Sequence, residues 1–207
     1  MKTRILSVLA LLCLAALLIP GLASCSSDRH TIFDGTVLER TTAPTSFVCI
    51  EVKGYGSMIL ELYPDSAPIT VKNFQDLVAE GFYNGKTFHR VINGFIIQGG
   101  APLVTDKAHD TIEGEFSRNG VDNPTQHERG VISMARANSY DSASTQFFIV
   151  HKTEGATHLN GLYAAFGRVI DGIDVVDKIA AVNTSSSDKP IKDVVISEIY
   201  FVAEVTE

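Results

Sequence analysis

From residue 48 onward the chain is divided into short apolar runs, each bounded by Gly, Asn, Asp or Ser. The runs 48–52 and 58–62 alternate in the manner of half-buried strands, and the Gly-containing segment 53–56 between them predicts a hairpin. Many short strands at near-regular spacing predict a mostly β domain, either a barrel or a sandwich, and closure of the sheet would remove its exposed edges. Further runs lie at 87–92, 95–98, 130–135, 146–150, 164–170 and 194–202.

Two helices are predicted between these strands. Val71, Phe74 and the pair 77–78 share one helical face, which ends before Gly81. Pro68 suits the first turn, and Asp65 or Ser66 could cap the first N–H groups. A second, shorter helix is predicted over 171–181.

The N-terminal segment is typical of an export signal. Lys2 and Arg4 precede an almost wholly apolar stretch over 5–20, which falls short of the roughly 20 residues that a spanning helix needs. Small residues follow at 23–24. We therefore predict a secretory signal peptide over residues 1–24, with an N-terminal anchor that is never cleaved as the alternative.

Residues 22–25, at the end of this segment, indicate a particular type of export signal. Leu22-Ala23-Ser24-Cys25 resembles the bacterial lipobox, in which the sulfur of the Cys receives a diacylglyceryl group. The resemblance implies a lipoprotein signal peptide and lipidation of Cys25, and an ordinary export signal with an incidental Cys is the alternative. We expect 25–46 to hold the lipidated Cys and a flexible tether, in which Ile32-Phe33 and Val37-Leu38 could form a short strand, and 47–207 to form the domain. The protein would be exported and lipid-anchored on the extracytoplasmic face of the bacterial membrane.

Charge and motif content exclude several classes of function. The chain carries a formal charge of −7, and removal of Lys2 and Arg4 with residues 1–24 leaves −9, which disfavours nucleic acid as a partner. The spacing of the six His matches no metal motif, and we expect His109, His127 and His151 to be loop or surface residues. The sequence therefore predicts no metal site and no cofactor.

Three segments combine polar and aromatic residues unusually densely, at 82–100, 129–138 and 144–149. Arg90 and Gln98 have the same parity, so both could face one side of a sheet, although the Asn93-Gly94 turn can break this register. The purely structural alternative is that the aromatic residues are core and that the polar residues cap strand ends. Those aromatic residues are Phe88, Phe95, Phe147 and Phe148.

Six short motifs lie in these segments and just beyond them. In order they are Phe88-His89-Arg90-Val91-Ile92, Gly94-Phe95, Gln98-Gly99-Gly100, Ser133-Met134-Ala135, Gln146-Phe147-Phe148-Ile149 and Phe166-Gly167. They resemble the motifs of the cyclophilin-type peptidyl-prolyl cis–trans isomerases, and the loop 135–144 resembles the bacterial branch of that family. With the lipobox, the resemblance points to a bacterial lipoprotein of this type. It implies a closed eight-stranded antiparallel β-barrel capped by two α-helices.

The resemblance also implies a site. Arg90 would stabilise the twisted amide at the prolyl nitrogen, and Gln98 would orient Arg90 and contact the substrate backbone. His89 would lie beside the site and Tyr163 at its far rim. The proline pocket would be lined by Phe95, Ile96, Phe148 and Leu159. The residues before proline would be held by Ala135, Arg136, Ala137 and Gln146, with Arg136 acting mainly through its main chain.

The expected function is a monomeric isomerase that accelerates folding of exported proteins at X–Pro bonds. Its partners would be proline-containing unfolded or flexible polypeptides, and the membrane through the lipid on Cys25. The main alternative is a non-catalytic module at the cell surface that binds proline segments or acts as a chaperone, and a further one is a structural lipoprotein with a vestigial site. Intact Arg90 and Gln98 favour the enzyme, because simple holding would not require a cation at the prolyl nitrogen.

Overall fold

The structure is a computed structural model that describes residues 28–205. The predicted signal peptide over 1–24 and the predicted lipidation site Cys25 lie outside the described residues. None of the helices formed by residues 28–205 is long and apolar enough to cross a bilayer.

One antiparallel sheet of ten strands forms the body of the region 28–205, in the order β1-β2-β10-β3-β4-β9-β7-β8-β6-β5. The predicted hairpin at 53–56 is confirmed, because β3 and β4 pair directly on either side of it. The strands are β1 Arg29–Thr31, β2 Val37–Thr41, β3 Phe47–Val52, β4 Gly56–Leu62, β5 Phe88–Ile92, β6 Ile96–Gly99, β7 Val131–Met134, β8 Phe147–Val150, β9 Ala165–Asp171 and β10 Ile196–Glu204.

In the described part of the chain, three α-helices accompany the sheet: α1 Pro68–Ala79, α2 Thr153–Ala156 and α3 Ile173–Ala180. The first and third correspond to the two predicted helices, whereas the four-residue α2 was not predicted. Short 3₁₀ turns lie at Ser117–Asn119 and Thr157–Leu159. The apolar faces of α1 and α3 are buried in the main core.

The start of α1 is capped differently from the prediction. Neither Asp65 nor Ser66 caps the helix, whose N-cap position is Ala67. Instead the buried Glu115 accepts hydrogen bonds from the backbone N–H groups of Ile69 at 3.0 Å and Thr70 at 2.7 Å. A carboxylate from a distant loop thus satisfies the orphan donors and complements the positive end of the helix.

The sheet is not closed, and the predicted closed eight-stranded barrel with two helices is not confirmed. The outer edge of β10 is divided: Phe201–Glu204 pair with β2, whereas Val195 makes a single bridge to Thr87 just before β5. Hydrogen bonds from the N–H of Phe88 to Val194 O and from the N–H of Ile196 to Lys86 O support that bridge. No ladder therefore joins β5 to β10 across the described residues.

Residues 28–46, the described part of the predicted tether, contain β1 and β2. This differs from the expected flexible segment. Leu38 is fully buried and Ile32 nearly so, in a small cluster with Cys49, Ile59, Tyr200 and Val202. The segment packs against β10 because these apolar side chains leave water on docking.

Candidate active site

The β5–β6 hairpin positions the first two predicted site residues. Arg90 and Gln98 are directly opposite each other, so the parity expected from the sequence survives the Asn93-Gly94 turn. Gly94 permits that turn because its φ is +82°. Phe148 of β8 is in turn opposite Gln98. Arg90, Gln98 and Phe148 thus form one row across three neighbouring strands and face the same side.

A cavity of about 300 Å³ lies above this row. Its walls combine apolar side chains with the polar ends of Arg90, Gln98 and Arg136. A second cavity of about 280 Å³ adjoins it and shares Gln98, Ala135 and Arg136. The first is lined by Arg90, Phe95, Ile96, Gln98, Ala135, Arg136, Phe148, His158, Leu159 and Tyr163. The second is completed by Ala137, Ser142, Ser144 and Gln146. We refer to the two cavities together as the groove.

Of the predicted catalytic and substrate-binding residues, His89 alone lines neither of these two cavities. Phe88 is opposite Gly99 and Arg90 is opposite Gln98, so His89 is the extra residue of a β-bulge. Its imidazole is half-buried, and desolvation lowers the pKa of His89 below its ordinary value. His89 therefore lies beside the groove but does not line it.

The hydrogen bonds of Gln98 differ from the role that the family resemblance implies. Its Nε2 donates to Oε1 of Gln146 at 3.0 Å, across the boundary of the two cavities. Among residues 28–205 no hydrogen bond joins Gln98 to Arg90. The amide therefore fixes Gln146 rather than the guanidinium.

Asp188 is the partner of Arg90 that the sequence analysis missed. Its Oδ2 lies 3.4 Å from Nε of Arg90, and both side chains are 41% exposed. Asp188 occupies the left-handed region at φ +62°, in a turn closed by the hydrogen bond from Ser185 N–H to Lys189 O at 2.8 Å. Its own carbonyl accepts the N–H of Val91, so the turn is docked on the edge strand β5. Only the turn-forming composition of 184–190 was visible in the sequence.

His127 lies beneath the groove, in the loop that precedes β7, so the loop prediction is confirmed although the side chain is buried rather than at the surface. It is 1% exposed and its ring stacks on Phe148 with centroids 5.9 Å apart. Nδ1 donates to Asn160 Oδ1 at 3.1 Å, so Nε2 is left to accept the hydroxyl of Ser133 at 3.1 Å. His151 is also buried, at 5% exposure.

We expect the burial of His127 to make the fold acid-sensitive. Desolvation lowers the pKa of His127 from 6.5 to about 4 in the folded protein. The unfolded chain therefore binds more protons between these values, and the free energy of unfolding should fall as the pH drops from about 6.5 to about 4. The full loss from this residue would be about 3 kcal/mol.

Urea unfolding at several pH values tests this expectation. The His127→Gln variant should lose part of the pH dependence in that window, whatever its stability at neutral pH. A slope equal to that of the parent protein would show that His127 is not the group responsible.

Comparison with known proteins assigns most of this chain to one family. Residues 47–201 match the family model described as cyclophilin type peptidyl-prolyl cis-trans isomerase/CLD. The chain is 41% identical over 157 residues to peptidyl-prolyl cis-trans isomerase B of Escherichia coli, covering 70% of this chain and 93% of that protein. It is 47% identical over 114 residues to peptidyl-prolyl cis-trans isomerase B of Bacillus subtilis, covering 55% and 76%.

A solved structure shows the same fold. The cyclophilin type peptidyl-prolyl cis-trans isomerase of Cryptosporidium parvum, determined in the presence of the dipeptide Ala-Pro, superposes with a TM-score of 0.66 and 33% sequence identity. The match covers 74% of this chain and 97% of that one.

Proposed function

Since this chain belongs to the cyclophilin-type peptidyl-prolyl cis–trans isomerases and is an enzyme of that class, we propose that it accelerates the folding of exported proteins at X–Pro bonds. The observation that carries the proposal is the single row of Arg90, Gln98 and Phe148 along a cavity whose walls combine apolar and polar side chains. A related structure was determined with Ala-Pro, which supports a proline-containing peptide as the occupant here.

The chemistry requires neither a nucleophile nor a metal, because no bond is broken. Resonance holds the X–Pro bond planar with a barrier of about 18–20 kcal/mol. Conjugation is lost at the twisted transition state, and the prolyl nitrogen gains a usable lone pair. A donor aimed at that nitrogen stabilises the transition state more than either planar isomer.

Different residues of the groove would bind the proline ring, stabilise the twisted amide and contact the peptide backbone. Phe95, Ile96, Phe148 and Leu159 offer the proline ring an apolar surface. Arg90 supplies a guanidinium cation with a rigid fork of hydrogen-bond donors. Its ion pair with Asp188 orients the guanidinium from the solvent side. Gln98, whose amide donates a hydrogen bond to Gln146, would contact the substrate backbone.

Catalysis is distinguished from simple binding by turnover. We expect the full chain to accelerate cis-to-trans conversion of a short Ala-Pro peptide, and of a protein whose refolding is limited by proline, at amounts far below one chain per substrate. A binding or chaperone module would act only in stoichiometric amounts. A monomer would show a specific rate independent of its own concentration.

The proposed location is the extracytoplasmic face of a bacterial membrane, with a lipid on Cys25. It rests on the signal-peptide pattern and on the lipobox at 22–25. Strand β1 begins at Arg29, only four residues after Cys25. Four extended residues span at most about 14 Å, so the domain would lie close to the lipid surface.

Membrane attachment should depend on Cys25. The Cys25→Ser variant should incorporate no labelled fatty acid and remain uncleaved by the lipoprotein pathway, because the hydroxyl cannot replace the thiol as acceptor. A single acyl chain binds membranes only marginally, whereas a lipoprotein Cys carries at least two. The same change at Cys13, inside the predicted signal, should leave labelling intact. Label on the Cys25→Ser protein would exclude the lipobox interpretation.

A further inference from the structure

The groove has a charge opposite to that of the rest of the protein. Among residues 28–205, Arg90 and Arg136 are the only Arg, Lys, Asp or Glu residues that line its two cavities. The whole chain carries a formal charge of −7. A peptide entering this groove therefore meets cations and neutral groups, but no lining carboxylate.

The two cations differ in how their charge is compensated. Arg90 has the carboxylate of Asp188 at 3.4 Å. Arg136 donates only to backbone carbonyls: Nε and Nη2 to Leu162 O at 3.1 and 2.9 Å, and Nη1 to Ala137 O at 2.9 Å and Asn138 O at 3.3 Å. These carbonyl oxygens hold the guanidinium in position, but they are neutral and do not compensate its positive charge.

Aromatic rings complete the surroundings of Arg136. Its guanidinium carbon lies 4.6 Å from the ring centroid of Tyr163, 5.0 Å from that of Tyr140 and 5.3 Å from that of Phe116. The nearby carboxylate of Asp141 is engaged by the N–H of Gly114 and the amide of Asn119 instead. Within residues 28–205, Arg136 has no ion pair with a carboxylate.

From this arrangement we propose that Arg136 gives the groove a preference for peptides with an acidic side chain one or two residues before the proline. The inference rests on the proposed function, which places the residues before proline along Ala135, Arg136, Ala137 and Gln146. Arg136 lines both cavities, and an extended peptide advances about 3.3 Å per residue. A carboxylate at either position can therefore approach the uncompensated guanidinium.

The expected preference is moderate because Arg136 is only half-buried. We expect kcat/KM for a Glu peptide to exceed that for the matching Lys peptide by about 5- to 10-fold at 50 mM salt, in line with a charge pair near a protein surface. At 1 M salt the screening length falls to about 3 Å, and the ratio should shrink to within about 2-fold.

The test uses the full chain and peptides that carry Glu, Gln or Lys at each of the two positions before proline. Arg136→Gln should bring the Glu-to-Lys ratio to about 1, whereas Arg136→Lys should keep it above 1. Arg118 is a matched control because it is exposed, lines neither cavity and carries the same charge. Arg118→Gln should retain the parent ratio.

The outcomes separate the two proposals. Turnover of all peptides with a Glu-to-Lys ratio near 1 in the parent protein would overturn the role of Arg136 and leave the isomerase function intact. A parent ratio that persists in Arg136→Gln would also overturn it. Absence of turnover with every peptide, including Gln, would overturn the proposed function and this inference together. The salt dependence of the parent protein provides a readout even if Arg136→Gln does not fold.

Discussion

Replacing Arg90 with Ala should lower kcat/KM for cis–trans isomerisation by roughly 100- to 1,000-fold and leave the domain folded. Loss of one preorganised donor that acts on the transition state typically costs about 3–4 kcal/mol. The fold should tolerate the change, because Arg90 is 41% exposed and its ion pair with Asp188 is also exposed to solvent. Peptide isomerisation kinetics and the urea midpoint measure the two effects.

Arg168 provides a matched control for Arg90. Its side chain is 44% exposed and lies 3.6 Å from Glu128, and it lines neither cavity of the groove. Arg168→Ala should therefore leave turnover unchanged. A folded Arg90→Ala protein with near-parental turnover would disprove the proposed mechanism.

Replacing Phe148 with Ala should reduce both stability and activity. The side chain is 3% exposed and packs in a cluster with Ile96 and Leu159, against the rings of His127 and Tyr163. Removal of a buried aromatic ring typically costs about 3–5 kcal/mol of unfolding free energy. It would also remove one wall of the cavity, so kcat/KM of the remaining folded protein should fall. Urea unfolding and kinetics at low temperature measure both quantities.

Phe147, next to Phe148 in the chain, provides a control that separates the loss of stability from the loss of activity. Phe147 is fully buried on the opposite face of β8, where it packs against Phe74, Tyr83 and Phe88. Phe147→Ala should lose comparable stability, but its folded fraction should keep the parent turnover. Equal loss of activity per folded molecule in both variants would mean that Phe148 acts only as core.

The features that could be predicted from the sequence are those determined by residues close together in the chain. The parity of Arg90 and Gln98 follows from alternation along β5 and β6 and from a three-residue connection, 93–95, that places Ile92 opposite Ile96. The face of α1 follows from helical periodicity, which places Phe74 and Leu77 in the core. The identities of the pocket residues came from motif resemblance rather than from periodicity.

The remaining features depend on contacts between residues far apart in the chain, for which no local pattern exists. Asp188 reaches Arg90 because a turn before β10 docks on the edge of β5, and Glu115 caps α1 from 45 or 46 residues away. The polar sequence around Leu38 resembled a tether, yet burial of this side chain against the sheet holds β2 on the edge of β10. That docking occupies part of the edge of β10. At its other end, β10 meets the segment before β5 through an isolated bridge at Val195 and backbone hydrogen bonds between Ile196 and residues 85–86. Local alternation thus predicted the strands from β3 onward and the hairpin of the site, and helical periodicity predicted the first helix. The partner of Arg90 and the open sheet were decided by tertiary packing, because burial and edge pairing depend on which distant surfaces meet.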